Sequence, residues 1–255
     1  MVGSVPILEV RKISKEFAIE RGMFKQEAGV FRALDNVSFC VEEFSTLGIV
    51  CESCSGKTTL AKIIMDLISK TSGEIIFYKS KITNFRKDVQ IIFQNPYNSL
   101  DPKMRIINTL TEPLLIHDVV PQKKFRERAV ELLNMVGLDK SLLQRYPIEF
   151  SGGQRQRICI ARALATEPKF VVLDEPISSL DLTIQAEMLD LFLQLKQKLK
   201  LTYIFISHNM AVIKQMADSV IVMQAGRIVE QGSKAEIFGS PKESYTKVLL
   251  EAARG

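Results

Sequence analysis

The chain has 255 residues, 46% of them hydrophobic, and a formal net charge of +5 from 34 Lys and Arg against 29 Asp and Glu. This length predicts one large domain with its own core, which is expected to fold without disulfide staples. No apolar run approaches the roughly 18–20 residues that cross a bilayer, and residues 1–10 lack the features of a signal peptide, so a soluble, cytoplasmic chain is expected. The basic residues are scattered, and the charge alone identifies no partner.

Taken in chain order, short apolar segments with β-like composition alternate with helical patterns, which implies a mainly parallel sheet covered on both faces. A polar insertion is expected around residues 20–29, and a hairpin is expected around Gln224-Ala225-Gly226. Pro96 precedes a mostly helical stretch at about residues 98–146, and Pro102, Pro113 and Pro121 interrupt it. The main predicted strands are residues 7–10, 33–41, 47–50, 73–78, 89–93, 170–173 and 203–207, and the main predicted helices are residues 58–68, 126–136, 154–165, 183–198 and 211–217.

Gly56-Lys57-Thr58 stands between a predicted strand and the start of a predicted helix. Unpaired backbone N–H groups and the helix dipole favour phosphate at such a position. We expect Lys57 to contact the β- and γ-phosphates of a nucleotide and the Thr58 hydroxyl to bind Mg²⁺. The alternative is a helix-capping turn that holds these residues by chance.

Asp174 and Glu175 follow the continuous apolar run of residues 170–173, which is typical of a strand buried in a parallel sheet. Two adjacent carboxylates at that position are costly to desolvate unless they have a task. We expect Asp174 to bind Mg²⁺ and Glu175 to polarise the attacking water. The alternative is an acidic pair on the surface.

His208 and Gln94 also follow predicted strands. A neutral imidazole at His208 could hydrogen-bond the γ-phosphate or orient the water, although a lone histidine is more often structural. Gln94 could contact Mg²⁺ or water while acting as a hinge before the helical insertion.

Ser151-Gly152-Gly153-Gln154 precedes another helix, whose exposed N–H groups again suit phosphate. The chain thus has two phosphate-binding helix starts but one Asp-Glu pair. The economical explanation is a head-to-tail pair of such domains, in which each lends its second helix start to the nucleotide held by the other.

These residues together resemble the ATP-binding-cassette ATPases, and more narrowly the ATPase subunits of peptide and nickel importers. The resemblance covers almost the whole chain and includes Arg145-Tyr146-Pro147 before the Ser151 turn, and Phe93-Gln94-Asn95-Pro96. It implies a P-loop NTPase fold: an α/β core with a mainly parallel sheet, flanking helices and an antiparallel N-terminal part. The core would comprise residues 1–94 and 156–255, and a helical signature subdomain would comprise residues 95–155.

The resemblance and the motifs together assign the site. The cofactors are ATP and Mg²⁺. The catalytic residues are Glu175, His208 and Gln94, and the Mg²⁺ ligands are Thr58, Gln94 and Asp174. The nucleotide-binding residues are Phe17, as the aromatic that stacks on adenine, and Cys51, Glu52, Ser53, Cys54, Ser55, Gly56, Lys57, Thr58, Thr59, Ser151, Gly152, Gly153, Gln154 and Asp181.

The same resemblance implies partners and a location. These are a second ATPase subunit in a homo- or heterodimer, two membrane permease subunits and, indirectly, a substrate-binding protein, at the cytoplasmic face of the cell membrane. No nucleic acid is expected. The implied function is ATP-driven import of di- or oligopeptides. The alternatives are nickel import, a degenerate subunit of low activity, and a soluble ATPase acting on nucleic acid or ribosomes.

The phosphate loop departs from the family pattern at two positions, because Cys51 and Cys54 stand where the family has glycine. A left-handed backbone at position 54 would cost a non-glycine residue about 1–2 kcal/mol, so we expect weakened rather than abolished ATP binding. Two cysteines before a helix also resemble a redox motif, and a redox switch is a further hypothesis.

Overall fold

The structure is a computed structural model that describes residues 5–21, 26–51 and 56–253. Its strands in that part of the chain are β1 (Leu8–Arg21), β2 (Gln26–Val41), β3 (Thr46–Val50), β4 (Ser72–Phe77), β5 (Val89–Ile92), β6 (Phe170–Asp174), β7 (Thr202–Ser207), β8 (Ser219–Gln224) and β9 (Arg227–Ser233). Its α-helices are α1 (Lys57–Ile64), α2 (Phe85–Asp88), α3 (Ile106–Ile116), α4 (Phe125–Met135), α5 (Gly152–Leu164), α6 (Leu182–Leu199), α7 (Met210–Met216), α8 (Lys234–Gly239) and α9 (Ser244–Ala252). Short 3₁₀ helices lie at Pro96–Asn98, Gln122–Lys124, Lys140–Gln144 and Pro147–Glu149.

The chain divides into two compact units. The first unit is Met1–Ile82 with Tyr203–Gly255, and the second is Thr83–Thr202. The first therefore holds the N-terminal strands and α1, while the second holds α2 to α6. The predicted signature subdomain, residues 95–155, falls within the second unit, and its boundaries stay a prediction.

The antiparallel part of the first unit is a three-stranded sheet with the order β2-β1-β4. Strands β1 and β2 form a hairpin, and both are longer than predicted, because their ladder continues to the pair Arg21 and Gln26 through residues that were expected to form a polar insertion. These residues were not predicted as strand because the prediction relied on apolar patterns, whereas main-chain hydrogen bonds between two strands need no apolar side chain. Residues near the other end of the hairpin, among them Ile7, Leu8 and Leu34, are fully buried.

The parallel part of the first unit is built around β3, which pairs in parallel with β7 on one side and β8 on the other. Every residue of β3 and β7 is buried, as the continuous apolar runs predicted. The predicted hairpin is confirmed, since β8 and β9 pair antiparallel around Ala225 and Gly226. Helix α7 packs on β3, where Gly48 makes room for Ile213.

The second unit combines a parallel pair of strands, β5 and β6, with helices α3 to α6. Strand β6 is buried along its whole length. The helices pack through apolar side chains, because helical spacing collects these residues on one face. Fully buried members of this core include Leu110, Leu114, Leu132, Leu133 and Ile158.

Helix α1 ends at Ile64, four residues before the predicted end. Asp66 adopts a left-handed backbone with φ of 54°, and the Leu67 N–H turns back to the Lys62 carbonyl. The apolar pattern misled the prediction, because Leu67 has helical spacing but follows this helix-terminating turn. In the residues that the structure describes, no helix combines the length and apolar character needed to span a membrane.

Candidate functional site

In the first unit, Cys51 and His208 emerge at one edge of the sheet. Strands β3 and β7 run parallel, and Val50 is the register partner of Ser207. Cys51 and His208 each follow their strand by one residue, so both leave the sheet on its carboxyl side. Ligands of α/β proteins bind at this side of the strands.

Gly56 immediately precedes α1 in a left-handed conformation, with φ of 95°. A Cβ built there would lie 2.4 Å from the Ala33 carbonyl oxygen and 2.9 Å from Leu34 Cδ2. Backbone cannot move aside as a flexible side chain can, so only glycine fits. The close approach ties the start of α1 to β2.

Lys57 begins α1 and is 6% exposed. Its Nζ donates a hydrogen bond to the Cys51 carbonyl oxygen at 2.9 Å. The first turn of α1 carries no acidic side chain, so the positive end of the helix dipole is not neutralised there. Thr58 is exposed and Thr59 partly exposed beside this ammonium group, which makes the helix start suited to an anion.

Cys51 occupies a position where the family pattern has glycine, yet it requires no glycine-like backbone. Its side chain is 1% exposed at the end of β3, and it is not among the described residues with positive φ. A small side chain is therefore compatible with the loop at this point. Glu52, Ser53, Cys54 and Ser55, which were also predicted to bind nucleotide, lie outside the described residues.

Phe17, the predicted adenine-stacking residue, lies on β1 in the first unit and is 39% exposed. The Lys15 Nζ lies 4.8 Å from the centre of its ring, a cation–π contact. The ring is therefore available for a ligand.

In the second unit, Gln94 and Glu175 come together. Ile92 of β5 is the register partner of Leu173 of β6, so the residues after both strands share one edge. Gln94 Nε2 donates to Glu175 Oε2 at 3.3 Å. The structure thus joins two of the three residues predicted to be catalytic.

Glu175 has a left-handed backbone with φ of 49°, which is uncommon for a residue with a side chain. Such a conformation costs on the order of 1–3 kcal/mol and persists only where the surroundings enforce it. Ser178 supplies part of that enforcement, because its N–H and its Oγ donate to the Glu175 carbonyl at 3.3 and 3.1 Å. Strained residues cluster at functional sites.

Asp174 is the last residue of β6 and is 3% exposed. A buried carboxylate needs polar partners or a cation to offset its desolvation. Carboxylate oxygen is a ligand that Mg²⁺ prefers. The donor type at this strand end therefore fits the predicted metal role.

Ser151 caps α5 through a reciprocal capping box with Gln154. The Gln154 N–H donates to Ser151 Oγ at 3.3 Å, and the Ser151 N–H donates to Gln154 Oε1 at 3.1 Å. Because a hydroxyl can accept and donate at once, Ser151 Oγ keeps its proton for another acceptor. Ser151 is exposed, so that acceptor can come from outside the chain.

The two glycines of this turn have different surroundings. A Cβ on Gly153 would lie 2.8 Å from Ile184 Cγ2 on α6, whereas a Cβ on Gly152 would meet Leu180 at an ordinary 3.6 Å. Gly153 therefore permits the close packing of α5 on α6, a role that the sequence did not indicate.

Asp181 caps α6, because its Oδ1 accepts a hydrogen bond from the Ile184 N–H at 3.0 Å. The residue is exposed and holds the loop that follows Glu175 to a helix start. Its predicted contact with nucleotide stays a prediction.

Arg155 is a functional candidate that the sequence reasoning missed. Its guanidinium donates to the carbonyl oxygens of Pro147 and Ile148 at 2.7 and 3.1 Å and stacks over the Tyr97 ring at 4.1 Å. These contacts order the loop before Ser151. The sequence did offer one indication of this role. Arg155 stands about one turn into a predicted helix, where a long side chain can reach back to backbone carbonyls that precede the helix.

The predicted site residues divide between the two units. The described members in the first unit are Phe17, Cys51, Gly56, Lys57, Thr58, Thr59 and His208. Those in the second unit are Gln94, Ser151, Gly152, Gly153, Gln154, Asp174, Glu175 and Asp181.

A family comparison decides the identity of this arrangement. Residues 34–178 match the family model described as "ABC transporter", which is more than half of the chain. The chain belongs to the ABC transporter family. It is an ATP-binding protein and an ATPase of that family.

Individual relatives and a solved structure support the same family assignment. The chain is 42% identical to the dipeptide transport ATP-binding protein DppF of Escherichia coli, over 97% of this chain and 76% of the relative. It is 40% identical to the oligopeptide transport ATP-binding protein AppF of Bacillus subtilis, over 96% of this chain and 78% of the relative. A solved dimeric ATP-binding cassette in a post-hydrolysis state, bound to ADP and Pi, superposes with a TM-score of 0.75 at 25% identity, over 89% of this chain and 98% of that one.

Proposed function

We propose that the chain is the ATP-hydrolysing subunit of a transporter that imports di- and oligopeptides. The observation that best supports this proposal is the sequence identity of 40–42%, over nearly the whole chain, to relatives named for dipeptide and oligopeptide transport. A local motif match could not extend so far. The similarity therefore extends over nearly the whole chain.

In the proposed reaction, Glu175 is the general base. Its carboxylate accepts a proton from the water that attacks the γ-phosphate. The hydrogen bond from Gln94 to Oε2 orients this carboxylate. His208, at the edge where β7 ends, orients the water or hydrogen-bonds the γ-phosphate.

The triphosphate is held at the start of α1. Lys57 contacts its β- and γ-phosphates, exchanging the present bond to the Cys51 carbonyl for bonds to phosphate oxygens. The N-terminus of α1 adds to this attraction, because the helix dipole places partial positive charge there. Cys51, with its side chain buried in the sheet, leaves this anion site in place.

Thr58, Gln94 and Asp174 are the proposed Mg²⁺ ligands. Each supplies oxygen, the donor that this hard cation prefers. When bound by these residues, Mg²⁺ would neutralise charge on the phosphates and so lower the barrier to attack by water.

We also propose that the subunit works as a dimer in which the exposed Ser151 turn of one copy binds the nucleotide of the other. Ser151 Oγ retains a proton to donate, and α5 is a 13-residue helix whose N-terminus favours phosphate. The solved cassette with a TM-score of 0.75 is itself dimeric. The second subunit is either an identical chain or a related one.

The proposed membrane partners are two permease subunits, contacted at the cytoplasmic face of the cell membrane, with a substrate-binding protein acting through them. The second unit exposes apolar side chains of the kind that partner surfaces carry. They are Tyr97, Leu115, Ile116, Ile148 and Leu182.

Uptake of labelled peptide tests this proposal. Cells that lack the gene for the chain are expected to lose uptake of a labelled dipeptide, and the wild-type chain is expected to restore it while Glu175→Gln does not. Labelled Ni²⁺ serves as the control cargo. Peptide uptake that persists without the chain, or loss of Ni²⁺ uptake alone, would overturn the peptide assignment. Purification of the chain with nucleic acid and without permeases would overturn the transport assignment.

A further inference from the structure

The hairpin of β1 and β2 has one aromatic face and one charged face. Phe17 and Phe31 are direct register partners, so their side chains lie on the same face. The neighbouring partners, Glu16 and Arg32, lie on the opposite face and form an ion pair of 2.7 Å. At these two residue pairs, the two faces of the hairpin are therefore chemically distinct.

Both aromatic rings are open to solvent. Phe17 is 39% exposed and Phe31 is 52% exposed. Lys15 adds a positive charge on this side, with its Nζ 4.8 Å from the Phe17 ring centre. Two rings and a cation form a surface suited to a flat aromatic ligand that carries negative charge.

The aromatic face lies on the strand that packs against Gly56, the residue before α1. Ala33 is two residues beyond Phe31 on β2, a rise of roughly 7 Å along a strand. The Ala33 carbonyl is the group that excludes any Cβ from Gly56, the residue before Lys57. The strand that carries Phe31 therefore leads directly to the start of α1, within the reach of one nucleotide.

We propose that Phe31 joins Phe17 in a two-ring platform that binds the purine base of ATP. Cβ atoms of directly opposite residues are about 4.5–5.5 Å apart, so one fused purine ring can cover both side chains. Neither ring offers a hydrogen-bond donor or acceptor to the edges of the base. The platform consequently adds affinity for any purine nucleotide and does not discriminate adenine from guanine. This proposal rests on the proposed function, because it needs the triphosphate to be held at Lys57.

The chain contains no tryptophan, which permits a direct test with a single introduced fluorophore. Phe31→Trp in the full chain is expected to show quenched emission on addition of ATP or GTP, and no change with tripolyphosphate, which lacks a base. Val30→Trp is the matched control, since Val30 is an exposed neighbour on the opposite face. Its emission is expected to stay unchanged with all three ligands.

Affinity measurements provide the second arm. Phe31→Ala is expected to weaken ATP binding about fivefold, which is the loss of about 1 kcal/mol of stacking, while tripolyphosphate binding stays as in the wild type. Unchanged ATP affinity in Phe31→Ala, or quenching of Val30→Trp equal to that of Phe31→Trp, would overturn the platform. If the wild-type chain binds no ATP at all, the proposed function fails together with this inference. If the wild-type chain binds ATP normally but the emission of Phe31→Trp does not change on addition of ATP, only the two-ring platform is refuted and the proposed function stands.

Discussion

Gln94 donates a hydrogen bond from Nε2 to Oε2 of Glu175 at 3.3 Å, and the two residues are 81 positions apart in the chain. The contact exists because β5 and β6 run parallel and end in register. It links the residue predicted to act as a hinge to the residue predicted to act as the base.

Gln94→Ala should slow ATP hydrolysis by at least about two- to tenfold, because it removes this hydrogen bond and a proposed Mg²⁺ ligand as well. ATP affinity measured without Mg²⁺ should change less, because the contact orients the base rather than the phosphates. Steady-state hydrolysis rates and equilibrium ATP binding measure the two effects. Gln90→Ala is the control, since Gln90 lies on β5, the strand that precedes Gln94, but bonds the Arg86 carbonyl instead. Equal rates in wild type and Gln94→Ala would contradict the positioning role.

Gly153→Ala should destabilise the chain by about 1–3 kcal/mol, because the new Cβ would overlap Ile184 Cγ2. Gly152→Ala, the adjacent control, should be neutral or stabilising, since it gains helix propensity without a clash. Thermal or denaturant unfolding measures both.

The double variant Gly153→Ala with Ile184→Ala provides the check on mechanism. It should be less destabilised than the sum of the two single variants, because removing Cγ2 makes room for the new Cβ. Strict additivity would show that Gly153 is needed for a reason other than this contact.

Asp88 should make stability depend on pH. Its burial raises the pKa of the carboxyl, but hydrogen bonds from the Asn84 and Thr83 N–H groups and the charge of Lys169 outweigh burial and hold the pKa below its ordinary value of 3.8. A lowered pKa in the folded state means that the stabilisation is present above about pH 4 and is lost as pH falls through the folded pKa.

Asp88→Asn should therefore cost about 1.5–3 kcal/mol at pH 7, the range for hydrogen bonds to a charged group. The difference from wild type should shrink as pH falls below 3.8. Unfolding midpoints measured at several pH values follow this convergence. Glu112→Gln, an exposed control on α3, should track the wild type throughout. A constant gap between Asp88→Asn and wild type down to acid pH would exclude the charge as the cause.

Cys51→Gly should not tighten ATP binding, because the backbone of Cys51 does not adopt a positive φ that glycine would relieve. The substitution should instead lower stability, since it empties a fully buried side-chain position and adds backbone freedom. ATP titration and thermal unfolding separate the two effects. A clear gain in affinity would show that Cys51 strains the phosphate loop after all.

The sequence predicted those parts of the fold that local patterns determine. The buried strands β3, β6 and β7 are continuous apolar runs, and the N-cap Ser151 has its partner Gln154 three residues later. These patterns need only neighbouring residues to be recognised.

Other features depend on contacts distant in sequence and could not be predicted. The left-handed backbone of Glu175 has no local signal, because it is enforced by the surrounding turn. The need for glycine at position 153 arises from Ile184, which belongs to another helix. The length of the β1–β2 ladder was missed because main-chain pairing continues through polar residues.

The proposed ATPase mechanism requires Glu175 to act as the general base, and Glu175→Gln tests that role most directly. The amide retains the size of the side chain but cannot accept the proton, so hydrolysis should fall by about 10²–10⁴ while ATP affinity stays near that of the wild type. Glu112→Gln, which replaces an exposed carboxylate on α3 that has no proposed role, should hydrolyse ATP normally. Hydrolysis by Glu175→Gln at the wild-type rate would contradict the account.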